Sequence, residues 1–380
     1  MYYFRFADLL TDADVLETSS PFTADRRIIQ PGALAMNIPI PNSAAGNGVL
    51  NIIPQKTICH VYRGDMILGS YIIWSKTIQM DNAGNLSADI QGATLESYLY
   101  RRRLSQDLTY AATEQLDIAA ALVADAQVGY PGYTASADIG VTPVTYIDSG
   151  QVRDRTYLRS EADYAGDLLE ALANVDNGFE YIIHTWDEGG TRERRILFGY
   201  PTLAATATPI VLEQPGNIAS FSILYDGSAG ATVFTTRGKS AGTEAGEEDI
   251  PLESSPGYAT TYLDNGWPIL DKIVDYQNVS VQATLDSYAS WWAASRGGPI
   301  VVPDFTVNSD AMFASGFSPM SLGAETTVVM NNPAYPTLLG VPSWGKVSRI
   351  IGFEVSVDEV GKDSMKLIVE SAFDPTDIGA

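Results

Sequence analysis

A strand, a tight turn and a returning strand occur at opposite ends of this chain in nearly the same pattern, and that echo restricts the fold more than any other stretch. The first copy is Ile78-Gln-Met80-Asp81-Asn-Ala-Gly84-Asn-Leu86-Ser-Ala88-Asp-Ile90; the second is Val355-Ser-Val357-Asp358-Glu-Val-Gly361, resuming at Met365-Lys-Leu367-Ile-Val369. Apolar residues two apart mark one covered face of a pleated strand, and an Asp followed by a Gly supplies a residue that tolerates unusual turn dihedrals. Apolar runs lead into each copy, at residues 58–62 and 69–74 before the first and 326–330 and 347–353 before the second. The pattern predicts one small β-barrel-like domain built twice, with assembly as its purpose.

A chain of 380 residues is long for one core and reads as two or three domains. Its 45% hydrophobic and 10% aromatic content suffices for packed interiors. The single cysteine, Cys59, sits in a strand-like run as a small buried hydrophobe and rules out an internal disulfide or a four-cysteine zinc site. No run approaches the roughly 18 apolar residues of a membrane span, and no basic-then-apolar leader pattern opens the sequence. Against 46 Asp and Glu stand 23 Lys and Arg, a net charge of −23. Such a surface repels phosphate backbones, which argues against stable nucleic-acid binding yet suits a channel through which DNA slides without sticking.

Along the chain, residues 1–92 read as mostly β, with strands at 2–6 and 33–38 around the Pro31-Gly32 turn. A helical stripe is expected through Leu108, Ala112, Leu116, Ala119 and Val123, and a loop over 129–148. Ser160 looks like the start of a second helix, with Tyr164, Leu168, Leu172 and Val175 inward and Gly178 as its stop. A hairpin about Gly189-Gly190 follows, then strands at 218–225 and 231–236 around Asp226-Gly227. Residues 240–256 have the composition of an exposed linker, and a short helix surrounds Leu285 and Trp292. The expected class is mainly β with an α+β insert. Residues 1–92 form a first β-barrel-like domain, on which part of the C-terminal half can pack. Residues 93–240 form an α+β domain, 241–298 a linker and helical segment, and 299–380 a second barrel-like domain.

Catalytic patterns are missing. The two histidines, His60 and His184, sit in no metal-binding spacing, and neither a Gly-x-Ser-x-Gly turn nor a calcium loop is present. Arg237-Gly238-Lys239-Ser240 ends like a phosphate loop but lacks the upstream glycine. Carboxylate pairs such as Glu180 with Asp187 are expected by chance among 46 acids, and Asp187-Glu188 decorate a turn. No catalytic residue, cofactor or metal site is assigned. Exposed Trp186, Trp267, Trp291, Trp292 or Trp344 would suit sugar stacking, but burial is the simpler expectation. Trp291 and Trp292 cannot share one helix face, so one of them is expected to meet another subunit or domain.

The order of these pieces resembles the tail-tip hub proteins of long-tailed phages, also called baseplate hub or minor tail proteins. The matching residues are Pro31-Gly32, Val61-Tyr62-Arg63-Gly64-Asp65, Gln91-Gly92 leading into Ser97-Tyr98-Leu99-Tyr100-Arg101-Arg102, Gly266-Trp267-Pro268-Ile269-Leu270, the helix about Leu285, Leu322-Gly323, and Arg349-Ile350. The resemblance implies a non-enzymatic homotrimer at the distal end of the virion tail, assembled in the host cytoplasm. Each subunit would contribute two related barrels, so a threefold hub can dock on a sixfold tube and bound the DNA path. Its implied partners are a distal tail or tail tube protein, the tape-measure protein and receptor-binding or fibre proteins, with DNA only as cargo. Trp291, Trp292, Arg101 and Arg102 are the candidate interface residues. The alternatives are a hexameric distal-tail adaptor ring and a tail-associated glycan-binding or hydrolytic module.

Overall fold

Strand Ala33–Ile40 turns Leu34, Met36 and Ile38 inward and leaves Ala33, Ala35 and Pro39 exposed, as a strand with one covered face requires. The computed structural model describes residues 1–40, 46–130, 132, 134–175, 177–203, 209–240, 250–276, 279, 281–335, 337–338, 341–342 and 344–370. They divide into a unit of residues 1–221 with 305–369 and a second unit of residues 222–304.

In the first unit one sheet runs Asp363–Val369, Trp344–Val357, Phe22–Arg27, Ala33–Ile40, Leu86–Thr94, Met66–Met80, Thr57–Arg63, Tyr2–Asp8 and Asp14–Thr18. The two hairpin-bearing ends of the chain thus meet edge to edge, through antiparallel pairing of Phe22–Arg27 with Trp344–Val357. Glu325–Met330 pairs with the N-terminal part of Trp344–Val357, and Ile210–Gln214 lies parallel beyond it. Runs expected as separate strands are continuous: 69–74 and 78–80 belong to the 15-residue strand Met66–Met80, bent by a bulge near Trp74.

The α+β segment shares the core of this sheet. Ala7, Ile58 and Ile72 from its strands cluster with Leu116 and Leu122 of helix Gln115–Ala126, Leu169 of helix Ala165–Ala173 and Tyr181 of strand Glu180–Glu188. Each buried Leu or Ile among them contributes about 1.5–3 kcal/mol by leaving water. Residues 93–221 are therefore not free-standing.

Several local expectations are corrected. Leu108 and Ala112 lie in strand Leu108–Glu114, paired with Val152–Tyr157, so the helix begins only at Gln115. Pairing there overrides a periodicity that fits a helix. The loop over 129–148 contains strand Val141–Pro143, parallel to Thr191–Gly199. Ser160 lies in a 3₁₀ turn, and the second helix starts at Ala165 with no side-chain cap. That helix ends at Ala173, short of Gly178, where the chain passes so close that a Cβ would come within 1.8 Å of the Ala173 carbonyl oxygen. Asp226-Gly227 lies inside strand Ile218–Ala231 and is not a turn.

In the second unit, strand Val233–Ser240 carries Pro251–Glu253 and Gly257–Tyr258 on one side and Asp271–Asp275 in parallel on the other. Helix Gln282–Arg296 covers it, with Leu285, Ala289 and Ala293 buried. Part of the expected linker is thus structured, while 241–249 lie outside the described residues. Among the described residues no helix is long and apolar enough to cross a membrane.

Candidate interaction surface

The echoed hairpins share one backbone turn, to which the first copy adds a bond from the Asn85 side chain to Asp81 Oδ2 at 2.8 Å, at the position of Lys362 in the second. Asp81 Oδ1 accepts the backbone N–H of Ala83 and of Asn85, each at 2.8 Å; Asp358 Oδ1 accepts those of Val360 and Lys362, at 3.0 and 2.8 Å. In both, the Asp N–H donates to the carbonyl four residues on and the Gly N–H donates back to the Asp carbonyl, all four bonds at 3.0 Å. Gly84 and Gly361 take φ of 86° and 81°, a region where a Cβ is strained. Four N–H groups that could find no ladder partner at a strand reversal are satisfied by two carboxylates, which explains the Asp and the Gly together. The Asn85 side-chain hydrogen bond first, then the backbone bonds from Asn85 and Ala83, hold the Asp81 carboxyl below the usual range.

Both turns stand at one end of one sheet. Four antiparallel pairings separate Met66–Met80 from Trp344–Val357, so the two strands run in the same direction. Following the register across, Val357 is level with Phe22, Met36, Ile90 and Lys76, and the first hairpin continues four residues farther, to Met80. Its end is solvent-exposed and apolar, with Ile78 at 48% and Met80 at 69% exposure; Val360 at the second tip is 87% exposed. Between the hairpins, Thr23, Ala35, Asn37, Gln91, Ser356 and Ser364 line an open cleft of about 690 Å³. Asp89, Asp358, Glu359 and Asp363 line it too, against Lys362, and Arg27 is paired with Asp25 at 2.9 Å.

A charged knot, unforeseen from sequence, ties the first sheet to hairpin 180–199. Asp12 takes 2.6 Å and 2.7 Å contacts from Arg192 and Arg194, and Arg192 also reaches Asp14 at 2.6 Å. His60 is fully buried; its Nε2 faces Asp12 at 3.2 Å and its Nδ1 faces Ser70 Oγ at 2.7 Å. Asp12 can only accept, so Nε2 carries the proton and Nδ1 accepts from the hydroxyl. Burial would raise the Asp12 pKa, but the His60 hydrogen bond and the two guanidinium groups bring it down to about 2. Burial and the same arginines lower His60 and keep it neutral. A second tie is Arg349 to Glu180, bidentate at 2.5 and 2.6 Å. Glu180 also accepts from Leu203 N, and Asp187 from Tyr62 and Gly190, so this carboxylate pair is committed to structure. His184 is buried against Arg26, burial first and that charge second lowering its pKa, and burial pushes the Cys59 thiol up. Among the described residues no group of three His, Cys, Asp or Glu could hold a metal ion.

The expected interface residues are spread over both units. Arg101 stacks at 3.8 Å on Trp74 and donates to Ser97 O. Arg102 donates at 2.8 Å to the carbonyls of Ala126 and Val128, closing the C-terminal end of helix Gln115–Ala126, where free carbonyls attract a cation. Trp292 turns inward, parallel to Phe234 with centroids 6.0 Å apart and donating to Tyr276 Oη at 2.7 Å. Trp291 packs its edge on Trp292 and stays 40% exposed, so of the pair it is the outward residue. Trp186 packs on His184 and Trp267 on Tyr262; the Trp344 side chain lies outside the described residues.

Neither a family model nor a curated protein matches the sequence. Solved structures do match over nearly the whole chain. The 43 kDa tail protein of prophage MuSo2 from Shewanella oneidensis superposes with a TM-score of 0.61 at 11% identity, covering 99% of this chain and 100% of that one. A tail protein from Neisseria meningitidis MC58 gives 0.58 at 14% identity, covering 97% of each chain. A prophage tail protein from Listeria monocytogenes EGD-e gives 0.51 at 12%, covering 98% of this chain and 96% of that one. The chain is mainly β with helical inserts and has the fold of these phage tail proteins.

Proposed function

We propose that this chain is a structural hub of a phage tail tip. Three copies form a ring that joins the hexameric tail tube, or a distal tail protein on it, to the tape-measure protein and the receptor-binding apparatus, and bounds the path of exiting DNA. The observation that carries the reading is the turn built twice at one end of one sheet, in a fold shared with prophage tail proteins. A chain that offers one structural unit twice gives a threefold ring six similar positions, which is what a sixfold neighbour needs. Asp12, His60 and Glu180 each bond to internal partners, which suits a structural part for them. Trp291, outward on helix Gln282–Arg296, is a subunit-contact residue in this reading.

The mass of the assembled protein tests it. A trimer of about 123 kDa, three times the 40.9 kDa chain, supports the hub. A ring of six, about 245 kDa, would replace it with the adaptor-ring reading, and clearing of peptidoglycan by the pure protein would favour the hydrolytic module. Trp291→Glu should shift mass from trimer to monomer while the circular dichroism spectrum is unchanged; an undiminished trimer removes Trp291 from the contact.

A further inference from the structure

Strand Ile210–Gln214 is an edge: it pairs in parallel with Glu325–Met330, and among the described residues no strand lies on its other side. Its even-numbered residues turn their backbone groups toward that partner, Ile210 O accepting from Thr326 Oγ1 at 2.7 Å and Gln214 O from Asn331 N at 2.8 Å. The groups of Val211 and Glu213 therefore point outward, because alternate residues of a strand bond to opposite sides. An open row of this kind is a template for another chain. Here it is taken. The Asn217 side chain donates from Nδ2 to Val211 O at 2.7 Å and accepts the Glu213 N–H on Oδ1 at 2.8 Å. We propose that Asn217 is an edge guard, whose carboxamide fills the place of a pairing strand and so keeps copies of this chain from joining through Ile210–Gln214.

The bonds are those of a strand. One residue of a parallel neighbour donates to the carbonyl of one residue and accepts the N–H of the residue two farther on, and Asn217 makes that same pair with a single side chain. A carboxamide carries both the donor and the acceptor this needs, where a carboxylate only accepts. The side chain reaches back across the reversal at 215–217, and Asn217 O accepts from Asn308 N at 2.9 Å, which fixes the backbone it reaches from. What it covers is prone to pair. Val211, Thr327 and Val347 stand side by side in register, with Val211 46% and Val347 60% exposed, and an uncharged β-branched row favours sheet growth. The strand carries one charge, Glu213. Asp14–Thr18, another edge of the same sheet, carries Asp14 and Glu17, and like charges deter a second edge without a guard.

The test is the association of the purified chain. Asn217→Ala and Asn217→Ser, the second keeping a turn-forming residue too short to span both groups, are compared with native protein over a concentration series by analytical ultracentrifugation. Both should keep the native circular dichroism spectrum and form species at least twice the native mass at a concentration about tenfold lower than native protein requires. The Glu213 N–H should exchange fast in the dilute variants and slowly in the associated ones, where a second chain takes the bond. Adding Val211→Pro, which removes an outward N–H that makes no ladder bond, or Val211→Lys, which charges the edge, should restore the native mass. Unchanged association of the folded variants, or association that neither second change reverses, overturns the guard. Loss of the native spectrum in both Asn217 variants overturns it too, since Asn217 would then serve the folding of the turn. Every comparison is with the mass of the native protein, whether monomer, trimer or larger ring, so the outcome is separate from that of the hub reading.

Discussion

Asp12 holds a left-handed backbone conformation, φ 57°, between two strands and there neutralises two arginines whose side chains are only 7% and 5% exposed. Asn tolerates that backbone almost as well as Asp, so Asp12→Asn removes charge without adding strain. It leaves buried guanidinium groups undercompensated, and the expected loss at pH 7 is about 3–5 kcal/mol in urea unfolding. The pH dependence has a definite sign. A carboxyl whose folded pKa lies near 2, against about 3.9 unfolded, stabilises fully above the unfolded value, and that contribution disappears as pH falls from about 4 to about 2. The gap between native protein and Asp12→Asn should therefore narrow over that window; an equal gap at pH 7 and pH 2.5 would show that charge is not what Asp12 provides. Arg349→Ala, which strands Glu180 without its bidentate partner, should likewise cost about 3–5 kcal/mol, and Arg349→Lys less, since a point charge keeps the attraction but loses the fork. Neither tie was legible in the sequence: Asp12 and Arg194 lie 182 residues apart, and nothing in either neighbourhood names the other.

At the scale of elements, hairpins are legible in the sequence because their signals are local. The Asp, the Gly and the alternating apolar residues of each tip sit within about ten positions, and the turn at Gly189-Gly190 was equally plain. Elements whose type depends on a distant partner are not legible in this way. Leu108 and Ala112 fit a helical stripe, yet pairing with Val152–Tyr157 draws them into a strand. Asp226-Gly227 has turn chemistry, yet both residues lie inside Ile218–Ala231. The joining of the two chain ends through Phe22–Arg27 is a register between residues more than 300 apart, which alternation alone cannot specify. The tips make a paired prediction at this scale. Gly84→Ala and Gly361→Ala place a Cβ at φ 86° and 81°, and each should cost about 1–2 kcal/mol. If the turns are truly the same object, the two changes should produce similar losses, with faster amide exchange confined to 83–85 and 360–362 respectively. A large loss from one and none from the other would show that the shared hydrogen bonds do not make shared stability.

For the whole molecule, a net charge of −23 per chain works against its own association and against DNA alike. On the hub reading three acidic subunits repel at low ionic strength, and screening shortens to about 10 Å at 0.1 M salt, so the proposed trimer should tighten as salt rises from 0.02 to 0.3 M, the reverse of an interface held by ion pairs. The face between the hairpins, with exposed Thr23, Ala35 and Gln91, carries four carboxylates against Lys362 and so offers passing phosphates little to hold. On the hub reading this face bounds the DNA path, and the consequence can be measured. Thr23→Lys, Ala35→Lys and Gln91→Lys together put nine new cations into a trimer, each able to displace counterions from a phosphate. Particles carrying them should release DNA more slowly than native particles, and the delay should fade with added salt. Three lysines at Gln106, Thr109 and Ala111, exposed positions on other elements, change net charge equally and should leave release unaffected. Equal delays from both sets would mean that total charge governs release; a delay from the second set alone would turn the molecule around, with its α+β segment toward the DNA.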